Sequence, residues 1–155
     1  MTTRIATPAD VIGLTDLINR AYDQAERSFV DGARITPTEV CEHMARGVFL
    51  VADDLGDAPY ACVYLKIAGG RAHLGLLAVD PRRQRQGAGA ALLDAAEAYC
   101  RAQRCTAIDI FVVNLRTELF PRYEARGFHR TGTAPFDDPR LTQAAHFVAM
   151  SKSLT

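Results

Sequence analysis

Apolar positions along this chain switch between two spacings. Val11, Leu14, Leu17, Ile18, Ala21 and Tyr22 recur at helical intervals and define one apolar face. Thr7-Pro8-Ala9-Asp10 in front supplies a cap, a first-turn proline and an acid. Thr36-Pro37-Thr38-Glu39 has the form of a capping box, so a second, short helix is expected, stopped by Gly47. A long helix is predicted over 87–101, with Leu92, Leu93, Ala96, Tyr99 and Cys100 on its core face and Arg101 and Arg104 at its negative end. Strand-like runs fill 4–6, 48–52, 60–68, 72–79, 106–113, 128–133 and 145–151. Gly56-Asp57-Ala58-Pro59 and Gly69-Gly70 connect neighbouring runs as hairpins. Residues 24–35 read as an irregular polar link and 134–144 as a loop. There is no repeat, linker or low-complexity tract, so residues 1–155 read as one mixed α/β domain.

One stretch, LGLLAVDPRRQRQGAGAALL over 74–93, carries chemistry. An apolar strand ends at Val79-Asp80-Pro81, a basic, glutamine-rich loop follows, and Gly87-Ala88-Gly89 opens an alanine-rich helix. Unpaired N–H groups of a first helical turn, together with the helix dipole, favour an anion there. Glycines allow close backbone approach, and Arg82, Arg83 and Arg85 place cations near the same point. A Walker loop requires Gly-Lys-Ser/Thr, but Gly89 is followed by Ala90-Ala91. A dinucleotide fingerprint requires a third small residue where Leu92 stands. Its acidic partner would be Asp109, which lies inside an apolar run.

The remaining pattern, Q/R-x-x-G-x-G/A, is met by Gln84-Arg85-Gln86-Gly87-Ala88-Gly89 after Leu77-Ala78-Val79. With this loop the sequence resembles the GNAT acyltransferase superfamily. Asn114 after the apolar run 108–113, then Phe120-Pro121-Arg122-Tyr123-Glu124-Ala125-Arg126-Gly127-Phe128, is similar to the family's later motif. Gly127 reads as a helix C-cap. The segment from Asn114 to Tyr123 is longer than in the family and carries Pro121. The resemblance implies a GNAT fold of the α/β (α+β) class. That fold is a mixed, mostly antiparallel sheet of six or seven strands flanked by about four helices, with splayed central parallel strands.

Composition narrows the partners. Eighteen basic residues balance eighteen acidic ones, so no net field recruits nucleic acid or an anionic membrane. No apolar stretch reaches the roughly 18–20 residues of a membrane span. The first residues, MTTRIATPAD, lack the apolar core of a signal peptide, so a cytoplasmic protein is expected. Cys41, Cys62, Cys100 and Cys105 have no C-x-x-C spacing, and with four His no metal site is expected. Cys62 and Cys100 read as buried thiols.

The resemblance implies acetyl transfer from acetyl-CoA to a primary amine by direct attack in a ternary complex. It assigns the pyrophosphate to the loop of Gln84, Arg85, Gln86, Gly87, Ala88, Gly89 and Ala90. It assigns the pantetheine arm to the backbone of Leu77, Ala78 and Val79, and a further contact to Asn114. Tyr123 would donate a proton to the departing thiolate and also touch the cofactor. Asp109 and His73 are the two candidate bases, with Asp109 favoured and a water chain as the alternative. The acceptor pocket would be built by 24–35 and 134–144. The first offers Glu26, Phe29 and Arg34, with Tyr22 just before it; the second offers Phe136, Asp137, Asp138 and Arg140. A small-molecule amine is expected, with a protein or peptide N-terminus as the alternative and a non-catalytic acyl-CoA-binding module as the reading of another class. The last strands would supply an edge for a homodimer.

Overall fold

The structure, a computed structural model, describes residues 2–155. Seven strands form one sheet: β1 (Thr2–Ile5), β2 (Val48–Asp53), β3 (Ala61–Ala68), β4 (Arg71–Val79), β5 (Ala107–Val113), β6 (His129–Pro135) and β7 (His146–Ser153). Their spatial order is β1-β2-β3-β4-β5-β7-β6. All neighbours are antiparallel except β4 and β5, which run parallel. Four helices accompany the sheet: α1 (Val11–Glu26), α2 (Pro37–Arg46), α3 (Ala88–Ala102) and α4 (Leu119–Ala125). The predicted strands fall on the observed ones with ends shifted by a residue or two.

Strand alternation explains the layering. In β2 and β3, Leu50, Ala52, Ala61, Val63 and Leu65 pack with Leu92, Ala96 and Cys100 of α3. The intervening Phe49, Val51, Cys62 and Tyr64 pack with Leu14, Leu17 and Ile18 of α1 and Val40 of α2. Both faces of these strands are therefore covered, which accounts for their near-continuous apolar sequence. Gly47, between α2 and β2, is required for space. A Cβ there would stand 2.3 Å from the Leu65 carbonyl oxygen and 2.7 Å from the Tyr64 hydroxyl. That hydroxyl donates to the His43 carbonyl at 2.7 Å, closing the end of α2 onto β3.

Two irregularities shape the centre of the sheet. Between Cys62↔Ala78 and Tyr64↔Gly75 the β3–β4 register gains one residue on β4. Leu76 adopts φ +50°, a left-handed conformation that L side chains rarely take. The extra residue reverses facing: Ala72 and Leu74 share the α3 side with Leu77 and Val79, whereas Leu76 and Ala78 face α1. Meanwhile β4 and β5 pair only from Arg71↔Ala107 to His73↔Asp109, and then part. Leu76 and Leu77 thus have no registered partner on either neighbouring strand.

Residues 24–35 are more ordered than their polar sequence suggests. α1 continues to Glu26, and Val30 forms a bridge with Leu141. Asp31 donates to the Arg140 carbonyl at 2.8 Å, and Thr142 donates to the Phe29 carbonyl at 2.9 Å. The two segments expected to build the acceptor pocket are bonded to each other.

Candidate active site

The parting of β4 and β5 opens a cleft of about 420 Å³. Its floor and walls include His73, Leu76 and Leu77 of β4, Phe111 of β5, and Tyr123 of α4. Tyr22, Glu26 and Arg34 close one side, and α2 contributes Glu42, His43 and Arg46. A second cleft, about 590 Å³, lies beyond the bulge. Leu77, Ala78, Val79, Gln84, Arg85, Gly87, Ala88, Gly89 and Ala90 line it. Tyr22, Leu77, Arg116 and Leu119 border both clefts, so the two meet at the bulge.

The loop of the second cleft is built from its ends. Asp80 is buried and accepts from the Arg82 backbone N–H at 3.0 Å, which turns the chain after β4. Arg20 of α1 reaches the same carboxylate at 2.9 Å. Hydrogen bonding from Arg82, helped by Arg20, holds the Asp80 carboxyl well below the usual range. Gly87 caps α3 at φ +82°, and nothing stands within 4 Å of where its Cβ would be. It is a glycine for its conformation and for the open space above it. The first N–H groups of α3 lack intrahelical partners.

The basic cluster divides. Arg82 pairs with Asp80 at 3.0 Å, while Arg83 pairs with Asp54 and lies over the Tyr60 ring. Of the three arginines expected at the loop, Arg85 lines the cleft and the others do not. Arg116 and Arg122 line it instead. The sequence reading missed this pair, although both flank Leu119 and Pro121 within the second motif. Gln86 does not line the cleft.

The other candidates are placed unevenly. Tyr123 is buried in the wall of the first cleft, its ring edge-on to Phe128 at 5.5 Å. Burial pushes its phenol up, with Arg116, Arg122 and Arg126 pulling the other way, so it is protonated at neutral pH. Pro121 is accommodated in the first turn of α4, where no intrahelical N–H bond is lost. His73 lines the cleft, 5.4 Å from the Phe111 ring. Burial lowers its pKa and keeps the imidazole neutral, against an opposing pull from Asp109.

Asp109 does not line the cleft. Arg71 donates to both its oxygens, at 2.7 and 2.8 Å, and Ser151 donates as well. This bonding holds its carboxyl below the usual range and makes it a poor proton acceptor. Asn114 also stays out of both clefts. Its backbone N–H donates to the His146 carbonyl at 2.9 Å and its side-chain oxygen accepts from the His146 N–H at 2.8 Å. It joins the ends of β5 and β7. Phe29 is a core residue, packed with Val30, Val113 and Phe136. The thiols of Cys62 and Cys100 are pushed up to about 12 by burial and are inert. Among the described residues, no three His, Cys, Asp or Glu are grouped to hold a metal, and no helix is long and apolar enough to cross a membrane.

A bulged strand splayed from a parallel neighbour, with a glycine loop opening a helix beside it, matches the arrangement that the resemblance implied. The acetyltransferase (GNAT) domain family matches residues 20–154, so the chain belongs to the GNAT family and is an acetyltransferase. Solved structures agree in fold. The ribosomal-protein-S18-alanine N-acetyltransferase of Escherichia coli superposes with a TM-score of 0.83 at 17% identity, covering 99% of this chain and 94% of that one. The PaiA N-acetyltransferase of Thermoplasma acidophilum, solved with coenzyme A, gives 0.73 at 16% identity, covering 99% of both chains. Ard1 of Thermoplasma volcanium gives 0.77 at 19% identity, covering 99% and 97%. No curated protein matches by sequence.

Proposed function

We propose that the enzyme moves an acetyl group from acetyl-CoA to the primary amine of a small molecule, by direct attack within a ternary complex. One observation carries the reading: two clefts meet at the unpaired Leu76-Leu77 bulge, with Tyr123 on the wall. Acetyl-CoA supplies the thioester. Three features fit it to the second cleft: the amides at the start of α3, the open space over Gly87, and the guanidinium groups of Arg85 and Arg122. The edge of Leu77, Ala78 and Val79 suits an amide-rich arm as an added strand.

The chain's own residues then have distinct tasks. His73 takes a proton from the incoming ammonium, supported by its place on the cleft wall and its neutral state. Backbone N–H groups at the bulge polarise the thioester carbonyl. Tyr123 gives a proton to the leaving thiolate and regains one from the nitrogen of the tetrahedral intermediate. Its phenol is the weaker acid, so the gain is modest because a thiolate already leaves readily. No Cys, Ser or Thr lines either cleft among the described residues, which favours direct attack over a covalent enzyme intermediate. A cleft of about 420 Å³ suits a small acceptor.

The neighbour named for ribosomal-protein alanine keeps a peptide N-terminus as the second acceptor class. Thiol release from acetyl-CoA, followed across small amines and short peptides, tests the reading. Turnover of small amines supports it. Turnover confined to peptides moves the assignment to the second class, and release with neither overturns both.

A further inference from the structure

Resting on the amine-acetylating reading above, we infer that the acceptor also carries a carboxylate and that Arg34 binds it. The arginines of this chain sort by their partners. Eleven of the sixteen form ion pairs with Asp or Glu. Among the described residues Arg34, Arg46, Arg85, Arg104 and Arg122 have no such pair, and all but Arg104 line one of the two clefts. Arg85 and Arg122 stand where phosphates fit. Arg34 and Arg46 stand in the acceptor cleft, which has no phosphate to receive.

Arg34 is held for a task. Its backbone N–H and that of Ile35 both donate to the Asn19 side-chain oxygen at 2.9 Å, while the Asn19 amide returns a bond to the Ile35 carbonyl at 2.9 Å. The loop is thereby fastened to α1. The guanidinium lies over the Tyr22 ring, 5.1 Å from its centre. Its Nε is buried without a hydrogen-bond partner, the single such side-chain atom among the described residues. A buried donor left unpaired is costly, and a carboxylate in two-pronged contact satisfies it.

The charge of the cleft points the same way. Arg34, Arg46 and Lys66 line it without ion-pair partners among the described residues. Glu26 is engaged by Arg116 at 3.1 Å, which leaves Glu42 as the one carboxylate lining it without an ion-pair partner among the described residues. A simple alkylammonium would meet an excess of like charge. An amino acid brings its own anion and enters as a zwitterion.

The test compares kcat/KM for matched acceptors: α-, β- and γ-amino acids against their carboxamides and the corresponding decarboxylated amines. The wild type is expected to favour the acids by about 10- to 100-fold. Arg34→Met, with an unchanged melting transition, narrows that preference to about twofold, and Arg34→Lys restores part of it. Two results overturn the inference with amine acetylation intact. One is wild-type turnover of carboxamides as fast as of acids; the other is a folded Arg34→Met that keeps the preference. If none of the amines releases thiol while acetyl-CoA still binds, the underlying reading falls instead.

Discussion

His73 and Asp109 are register partners at the last paired position of β4 and β5, yet His73 lines the cleft and Asp109 does not. Beyond this pair the strands part, so the position marks the root of the cleft. Asp109 is turned into a bond with Arg71, leaving His73 as the titratable group at the root. The proposed base and a structural anchor thus share one rung of the sheet.

Catalysis should follow that division. With the His73 pKa lowered by burial, the protonated form appears only below the ordinary imidazole value of about 6.5. kcat/KM should therefore rise with pH through an acid limb below that value. His73→Gln should remove the limb and lower the plateau by about 100-fold. Asp109→Asn should keep the limb, moved to lower pH because its pull on His73 is lost, and leave the plateau nearly unchanged. A pH–rate profile of the two variants beside wild type checks this. A lost limb in Asp109→Asn would return the base to that residue.

Tyr123→Phe should lower kcat by about 10- to 100-fold and leave KM for acetyl-CoA nearly constant. The buried ring against Phe128 is preserved by the substitution, so stability should hold. Steady-state kinetics with a melting curve separates the chemical role from a packing role.

Acid stability should depend on Arg4. Its guanidinium bonds Asp10 at 2.8 Å and the buried Asp53 at 2.7 Å. These bonds lower both carboxyl pKa values below the usual range. A depressed carboxylate stabilises the fold above the unfolded pKa of about 3.9 and loses that contribution as pH falls further. Thermal melts from pH 7 to pH 3 should decline mainly below about pH 4. Arg4→Met should destabilise at pH 7 and flatten the decline, because buried Asp53 then has no cation.

Local sequence held the parts of this fold that depend on local physics. The strand alternation, the capping box at Thr36, the conformational role of Gly87 and the left-handed Gly127 (φ +98°), one residue past the α4 C-cap Arg126, need only near neighbours. The glycine loop was legible because its strand, turn and helix are contiguous. What escaped depends on distant residues. Arg71 meets Asp109 across 38 positions and alters its chemistry. Asn114 is consumed by His146, 32 positions on. Phe29 is buried because 136–142 folds back over it, and no periodicity in a polar link announces that. Arg116 and Arg122 reach the second cleft only because the segment after β5 folds back to line it opposite Leu77, Ala78 and Val79.

Calorimetric titration with acetyl-CoA tests the central claim most directly, using wild type beside a Gly87→Glu, Gly89→Glu variant. Two carboxylates placed at the start of α3 would meet the phosphates that the amides of that turn would otherwise hold. The expected result is saturable binding by wild type and none by a variant that still melts cooperatively. Undiminished binding by the folded variant, or no binding by wild type, would contradict the assignment of the cofactor to this cleft.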